Sequence, residues 1–204
     1  MLLTLEIRWF GKGNIPETLQ LWFRKLEGDI SDQQVRTDFY LHMNDNDDLG
    51  IKVREGKIEI KKRNQNFGKL RLDSGLAGIL EGWEKWGFNI AENSSDYENN
   101  SDPKSWIAVR KQRLLRKYNL TGHTIRPISP EAIVSEAFNL ELSHIELMGQ
   151  TCWSLNLEAY GGNKLNQEEF KRTSNYLFQN IPVVQVNNAI SCGYPQWINE
   201  ISNR

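Results

Sequence analysis

Cysteine is scarce: Cys152 and Cys192 are the only two in 204 residues, and no Cys-x-x-Cys pair occurs. That excludes a disulfide framework, makes a reducing compartment the simpler reading, and leaves two thiols expected to be buried. Long apolar runs are missing as well. None approaches the roughly 18–20 residues that a membrane-spanning helix needs, and Glu6 and Arg8 interrupt the start of the chain where a leader would carry its apolar stretch. With no sign of a secretory route, the Asn-x-Ser/Thr triplets at Asn93, Asn99 and Asn119 carry little weight, and a cytoplasmic location is expected. Charge of one sign is lacking too: 25 Lys and Arg against 26 Asp and Glu leave −1, so the chain as a whole does not attract nucleic acid. His42, His123 and His144 share no metal-binding spacing and are expected to be structural or superficial. The acidic stretch Asn44–Asp48 has its Gly and distal Glu misplaced for a calcium loop and reads as a solvated turn.

What is present is alternation. Side chains two apart in a strand share a face. Residues 3–10 place Leu3, Leu5, Ile7 and Trp9 on one face and Thr4, Glu6, Arg8 and Phe10 on the other. The same reading predicts strands over 34–42, 49–54, 57–63, 106–113, 133–147 and 152–160, with Glu55-Gly56 as a two-residue hairpin turn. Each strand has one apolar and one polar or charged face. Pro16 followed by Leu19, Trp22, Phe23 and Leu26 predicts a helix that Gly28 ends; Asn166 caps a second over 167–180, with Phe170, Tyr176 and Leu177 as its buried stripe. In 76–90 the glycines argue against a long regular helix, 91–104 reads as a polar loop, and the tail with Pro182, Gly193, Pro195 and Trp197 reads as a packed extension that docks on its own sheet or on a partner. The length suits one domain, of α+β class with a large, mostly antiparallel sheet.

Two arrangements satisfy this pattern. In one, an open sheet packs its apolar face on helices and turns its charged face to water. In the other, the sheet closes, helices cover its apolar outside, and the charged faces line a tunnel. Burying so many cations is costly unless a polyanion neutralises them, so the closed form calls for a triphosphate, a nucleotide tail, polyphosphate or sulfate. Arg and Lys suit that target through forked and point-charge contacts, while carboxylates among them suit Mg²⁺ or Mn²⁺. The tryptophans Trp83, Trp86 and Trp106 are read as packing residues rather than as a ligand surface. The basic stretch from Lys57 to Arg63, with Lys69 and Arg71 nearby, lacks the interleaved aromatics of a nucleic-acid patch.

The order of short motifs resembles the CYTH-like group, the triphosphate tunnel metalloenzymes. Glu6-x-Arg8 falls in the first strand, Asp38-x-Tyr40 in the second, Lys52-x-Arg54 with Lys61 in the hairpin, and Lys111-x-Arg113, Glu141 and Glu158 follow, so the likeness covers roughly residues 3–162. The resemblance implies an antiparallel β-barrel tunnel with a polar interior and flanking helices. It further implies triphosphate, inorganic or on a nucleotide, held by Arg8, Lys52, Arg54, Lys61, Lys111 and Arg113. Glu6, Glu141 and Glu158 would hold Mg²⁺ or Mn²⁺, for phosphoanhydride hydrolysis or for binding alone. The chain departs from the pattern where Thr4 replaces the first Glu of the family's Glu-x-Glu-x-Lys strand, Arg8 replaces its Lys, and Lys52 stands where Arg is frequent. Losing one carboxylate weakens metal binding.

Overall fold

The computed structural model describes residues 1–89, 105–121, 124–161 and 166–202; the expected loop over 91–104 and His123 lie outside them. The long strands are β1 (Leu2–Lys12), β2 (Ser31–Leu41), β3 (Leu49–Arg54), β4 (Lys57–Arg71), β5 (Ala77–Asn89), β6 (Trp106–Thr121), β8 (Ala137–Leu147) and β9 (Gln150–Tyr160). They run in the order β1-β5-β4-β3-β2-β6-β8-β9, every neighbouring pair antiparallel. β9 then pairs with β1, from Thr4 opposite Tyr160 to Lys12 opposite Cys152, and closes an eight-stranded barrel. Closure leaves no free edge among these eight strands. The short β7 (Thr124–Ile128) adds to β6 outside the ring, and β10 (Ile190–Ser191) extends β1.

The closed alternative is therefore the one adopted, and its reason lies in the apolar faces. Leu5, Ile7 and Trp9 of β1, Leu140 and Leu142 of β8, and Leu155 and Leu157 of β9 all point outward into one buried cluster. That cluster is covered by Leu19, Trp22 and Phe23 of α1 (Glu17–Lys25), by Phe170 and Leu177 of α2 (Gln167–Leu177), and by Val186 of α3 (Val183–Asn187). Each such side chain contributes about 1.5–3 kcal/mol when fully buried. The expected cap of α2 is present, Asn166 Oδ1 accepting from the Glu169 amide at 2.9 Å. At the other end of α1, the outward-facing Arg116 donates to the carbonyls of Phe23 and Arg24, each at 3.0 Å, and of Gly28, satisfying backbone acceptors that a helix end leaves unpaired.

Several elements exceed their expected limits. β4 and β6 run well past residues 63 and 113, β2 starts at Ser31, and the glycine-broken segment is the continuous strand β5. Gly78 is a spacer: a Cβ there would stand 2.8 Å from the Trp9 ring and 2.7 Å from Ser191 Oγ. The tail docks on its own barrel through α4 (Tyr194–Ser202). Trp197 and Ile198 join Phe10, Tyr40, Val109, Ile145, Leu147 and Cys152, all inward by strand parity, in a second apolar cluster. Trp197 stacks on Phe10 at 4.2 Å, and Asn199 Nδ2 donates to the Asn46 carbonyl and Asp47 Oδ1. One end of the barrel interior is thus apolar and filled by α4. Both cysteines are buried and free.

Candidate functional site

The remaining half of the interior is a polar cavity of about 430 Å³. Strand alternation delivers its lining: Glu6 and Arg8 from β1, Lys52 and Arg54 from β3, Lys61 from β4, Lys111 and Arg113 from β6, Glu141 from β8 and Glu158 from β9 all face it. All nine residues singled out from the sequence are therefore brought to one place from six strands. Six that were passed over as site residues also stand there: Arg36, Lys57, Glu59, Lys85, Asn139 and Asn156, with Trp83 in the wall and Tyr194 of α4 against the base. Lys85 was hidden by the glycines of its strand, although Glu81, Trp83 and Lys85 alternate as the other strands do. Tyr194 carries no local signal, because only the docking of a distant helix places it.

The charges are organised as a continuous net. Arg8 sits centrally, with Nε 3.1 Å from Glu6 Oε1 and Nη1 3.4 Å from both Glu141 Oε1 and Ser154 Oγ. Arg113 Nη1 holds the second oxygen of Glu141 at 3.0 Å, and Lys61 holds the second oxygen of Glu6. Lys61 also lies 3.5 Å from Glu158 Oε1, which pairs in addition with Lys85. On the facing wall, Asp38 is fully buried between Lys111 Nζ at 2.8 Å, Arg36 Nε at 3.1 Å and Lys52 Nζ at 3.6 Å. Lys52 reaches Glu59 Oε2 at 2.8 Å, and Arg54 takes the other oxygen. Aromatic faces support the cations at the base, where Tyr194 lies 4.6 Å from Lys111 Nζ and 4.8 Å from the Arg8 guanidinium. Lys61 Nζ stands 4.9 Å from the Trp83 ring.

Protonation states follow from this net. Burial by itself raises the carboxyls, but Lys61, Arg8 and Lys85 hold Glu6 well below the ordinary carboxylate range, and Arg113, Arg8 and Lys111 do the same for Glu141. Asp38 is brought down to about 2 by Lys111, Lys52 and Arg36 against the same burial penalty. Cations suffer from crowding: burial and the neighbouring Lys111 push Lys52 down to about 8, and burial lowers Lys61 and Lys111. Glu6, Asp38 and Glu141 are ionised at neutral pH, and each is engaged by at least two cations.

That engagement bears on the expected metal. Glu6, Glu141 and Glu158 line the same cavity, yet Arg8 lies between Glu6 and Glu141, and Lys61 between Glu6 and Glu158. Among the described residues, no three His, Cys, Asp or Glu side chains stand close enough together to hold a metal ion. As arranged, the three glutamates do not form a metal-donor set.

The closed eight-stranded antiparallel barrel with a charged interior resembles the CYTH-like tunnel fold. No protein-family model matches the chain, and no curated protein matches it. Among solved structures it is similar to a conserved hypothetical protein from Pyrococcus furiosus, with 14% identity, 84% of this chain and 86% of that chain covered, and a TM-score of 0.38. It is also similar to the PH1012 protein from Pyrococcus horikoshii OT3, with 14% identity, 91% and 99% covered, and a TM-score of 0.38. Likeness at that level carries no weight for function. No helix among the described residues is long and apolar enough to cross a membrane.

Proposed function

We propose that this protein is a divergent CYTH-like barrel that binds a triphosphate-class anion, inorganic or on a nucleotide, in its half-filled interior. The observation that carries the reading is the charge balance of the cavity. Nine cations face it, namely Arg8, Arg36, Lys52, Arg54, Lys57, Lys61, Lys85, Lys111 and Arg113. Against them stand five carboxylates, Glu6, Glu59, Glu141 and Glu158 in the lining and Asp38 behind it, leaving an excess of four positive charges. A chain of net charge −1 has concentrated that excess in one low-dielectric enclosure, where like charges repel and depress one another's protonation. A tetra-anion with several phosphoryl oxygens relieves the repulsion, and Arg8, Arg54 and Arg113 supply forked donors for it while the lysines supply point charges.

Calorimetric titration of the purified chain with inorganic triphosphate tests the reading, with sulfate and monophosphate as weaker controls. Saturating ligand at 100 times Kd should add about 2.7 kcal/mol of stability and raise the melting temperature accordingly. Lys61→Ala and Arg113→Ala should each remove most of the response. A wild-type chain that releases no heat and gains no stability with triphosphate, with or without Mg²⁺, refutes the proposal.

A further inference from the structure

We infer that the cavity takes its anion free of divalent metal, and that Glu6, Glu141 and Glu158 are positioning residues that hold the arginines and lysines in place. The inference rests on the phosphate-binding reading above and narrows it to one mode.

Three observations converge. The first is how the carboxylate oxygens are used. Both oxygens of Glu6 are engaged, one by Arg8 and one by Lys61; both of Glu141 are engaged, one by Arg8 and one by Arg113; and Glu158 is gripped by Lys61 and Lys85. A divalent ion needs several oxygen ligands of its own, and here it would have to displace guanidinium and ammonium groups from buried partners, then share the enclosure with nine like charges. The second is Thr4, which occupies the inward position two residues before Glu6. It is buried at 2% exposure, and its hydroxyl is without a hydrogen-bond partner among the described residues. A hydroxyl that finds no partner there does not replace the charge of a missing carboxylate. The third is the charge excess of four, which a free triphosphate balances directly. A magnesium complex brings two fewer negative charges and has its oxygens already occupied.

In this arrangement the acids aim the cations. Arg8 has its plane set by Glu6 on one side and Glu141 on the other, and Lys61 is drawn toward β1 and β9 by Glu6 and Glu158. An arriving phosphate meets donors already oriented, and the carboxylates compete mildly with it for the same donors. Neutralising one of them while keeping its shape removes competition without removing a donor.

The test is calorimetric titration of the whole chain with inorganic triphosphate, first in EDTA and then with Mg²⁺ in excess over the ligand. It is repeated for Glu158→Gln, whose partners Lys61 and Lys85 both remain. Binding is expected in EDTA, weakening by about tenfold or more when Mg²⁺ takes up the ligand's charge. Glu158→Gln is expected to bind about threefold or more tightly than wild type in EDTA, a gain that loss of a mere structural contact does not produce. Mn²⁺ alone, followed by the amplitude of its solution EPR signal, should remain free in the presence of the protein, a readout independent of any variant's folding. Binding that appears only when Mg²⁺ or Mn²⁺ is added, or Mn²⁺ captured by the protein alone, overturns the metal-free mode and leaves the phosphate-binding reading standing. Failure to bind in both media overturns that reading, and the inference with it.

Discussion

Arg8→Met removes the cation on which the interior net turns. Met keeps the length and apolar stem of the side chain, so little cavity is created and the contact with Tyr194 at 4.8 Å is partly retained. What is lost is the positive charge between Glu6 and Glu141, both buried and both held far below their ordinary protonation range with its help. Removing one partner of a buried pair costs about 3–5 kcal/mol because the other charge stays buried. Glu6 still has Lys61 and Glu141 still has Arg113, which places the expected loss at the lower end, about 3 kcal/mol. In a chain of this length each kcal/mol moves the melting temperature by about 2–4 °C, so scanning calorimetry should record a fall of about 6–12 °C. The double variant Arg8→Met with Glu141→Gln leaves one acid short of a cation instead of two. It should be more stable than the sum of its parts predicts, by about 1 kcal/mol or more. A melting temperature within 2 °C of wild type, or strict additivity in the cycle, would refute the account of Arg8 as the link between the two glutamates.

Lys52, pushed down to about 8, makes anion binding depend on pH. Its charge is complete below that value and lost as pH rises through it, so triphosphate affinity should drop by about tenfold between pH 7 and pH 9, with proton uptake on binding near pH 8. An affinity constant across that interval contradicts the assignment. Asp38 moves the opposite way. Its folded value of about 2 lies below the ordinary 3.8, so its contribution is present above pH 4 and fades as pH falls toward 2. Chemical denaturation should show wild type exceeding Asp38→Asn by about 2 kcal/mol at pH 6, with the gap closing by pH 2. Trp197→Ala removes a ring at 2% exposure that stacks on Phe10 and should cost about 3–5 kcal/mol. It should also weaken triphosphate binding, since Tyr194 loses its edge contact with that ring. A variant with unchanged melting temperature would show that α4 does not seal the barrel.

Much of the candidate site was legible in the linear chain because a strand's period of two is strict. Once Glu6 and Arg8 share a face opposite Leu5 and Ile7, that face is charged whatever the sheet does. The same holds for Lys52 with Arg54 and for Lys111 with Arg113, and all of them reach the cavity. Strand limits were harder to read. β4 runs on through Asn64, Gln65 and Asn66 with register shifts at Arg63/Gln65 and Asn66/Gly68, and there the alternation breaks. β5 hid behind glycines that read as interruptions, although Gly78 sits in the strand because Trp9 and Ser191 approach it too closely for a Cβ. Lys85 was lost with it.

Periodicity along the chain determined which side chains share a face, where α1 and α2 begin, and that no disulfide framework holds the molecule together. Whether the charged faces look at water or at one another depended on a contact no local pattern encodes, the pairing of β1 with β9 across about 150 residues of chain. The same pairing sets Glu6 beside Glu158 and Arg8 beside Asn156. The docking of α4 then decided that the enclosure ends at Tyr194 and Trp197. A side chain's direction is a property of its own backbone, whereas its electrostatic neighbours belong to strands that only the closed barrel brings within 4 Å.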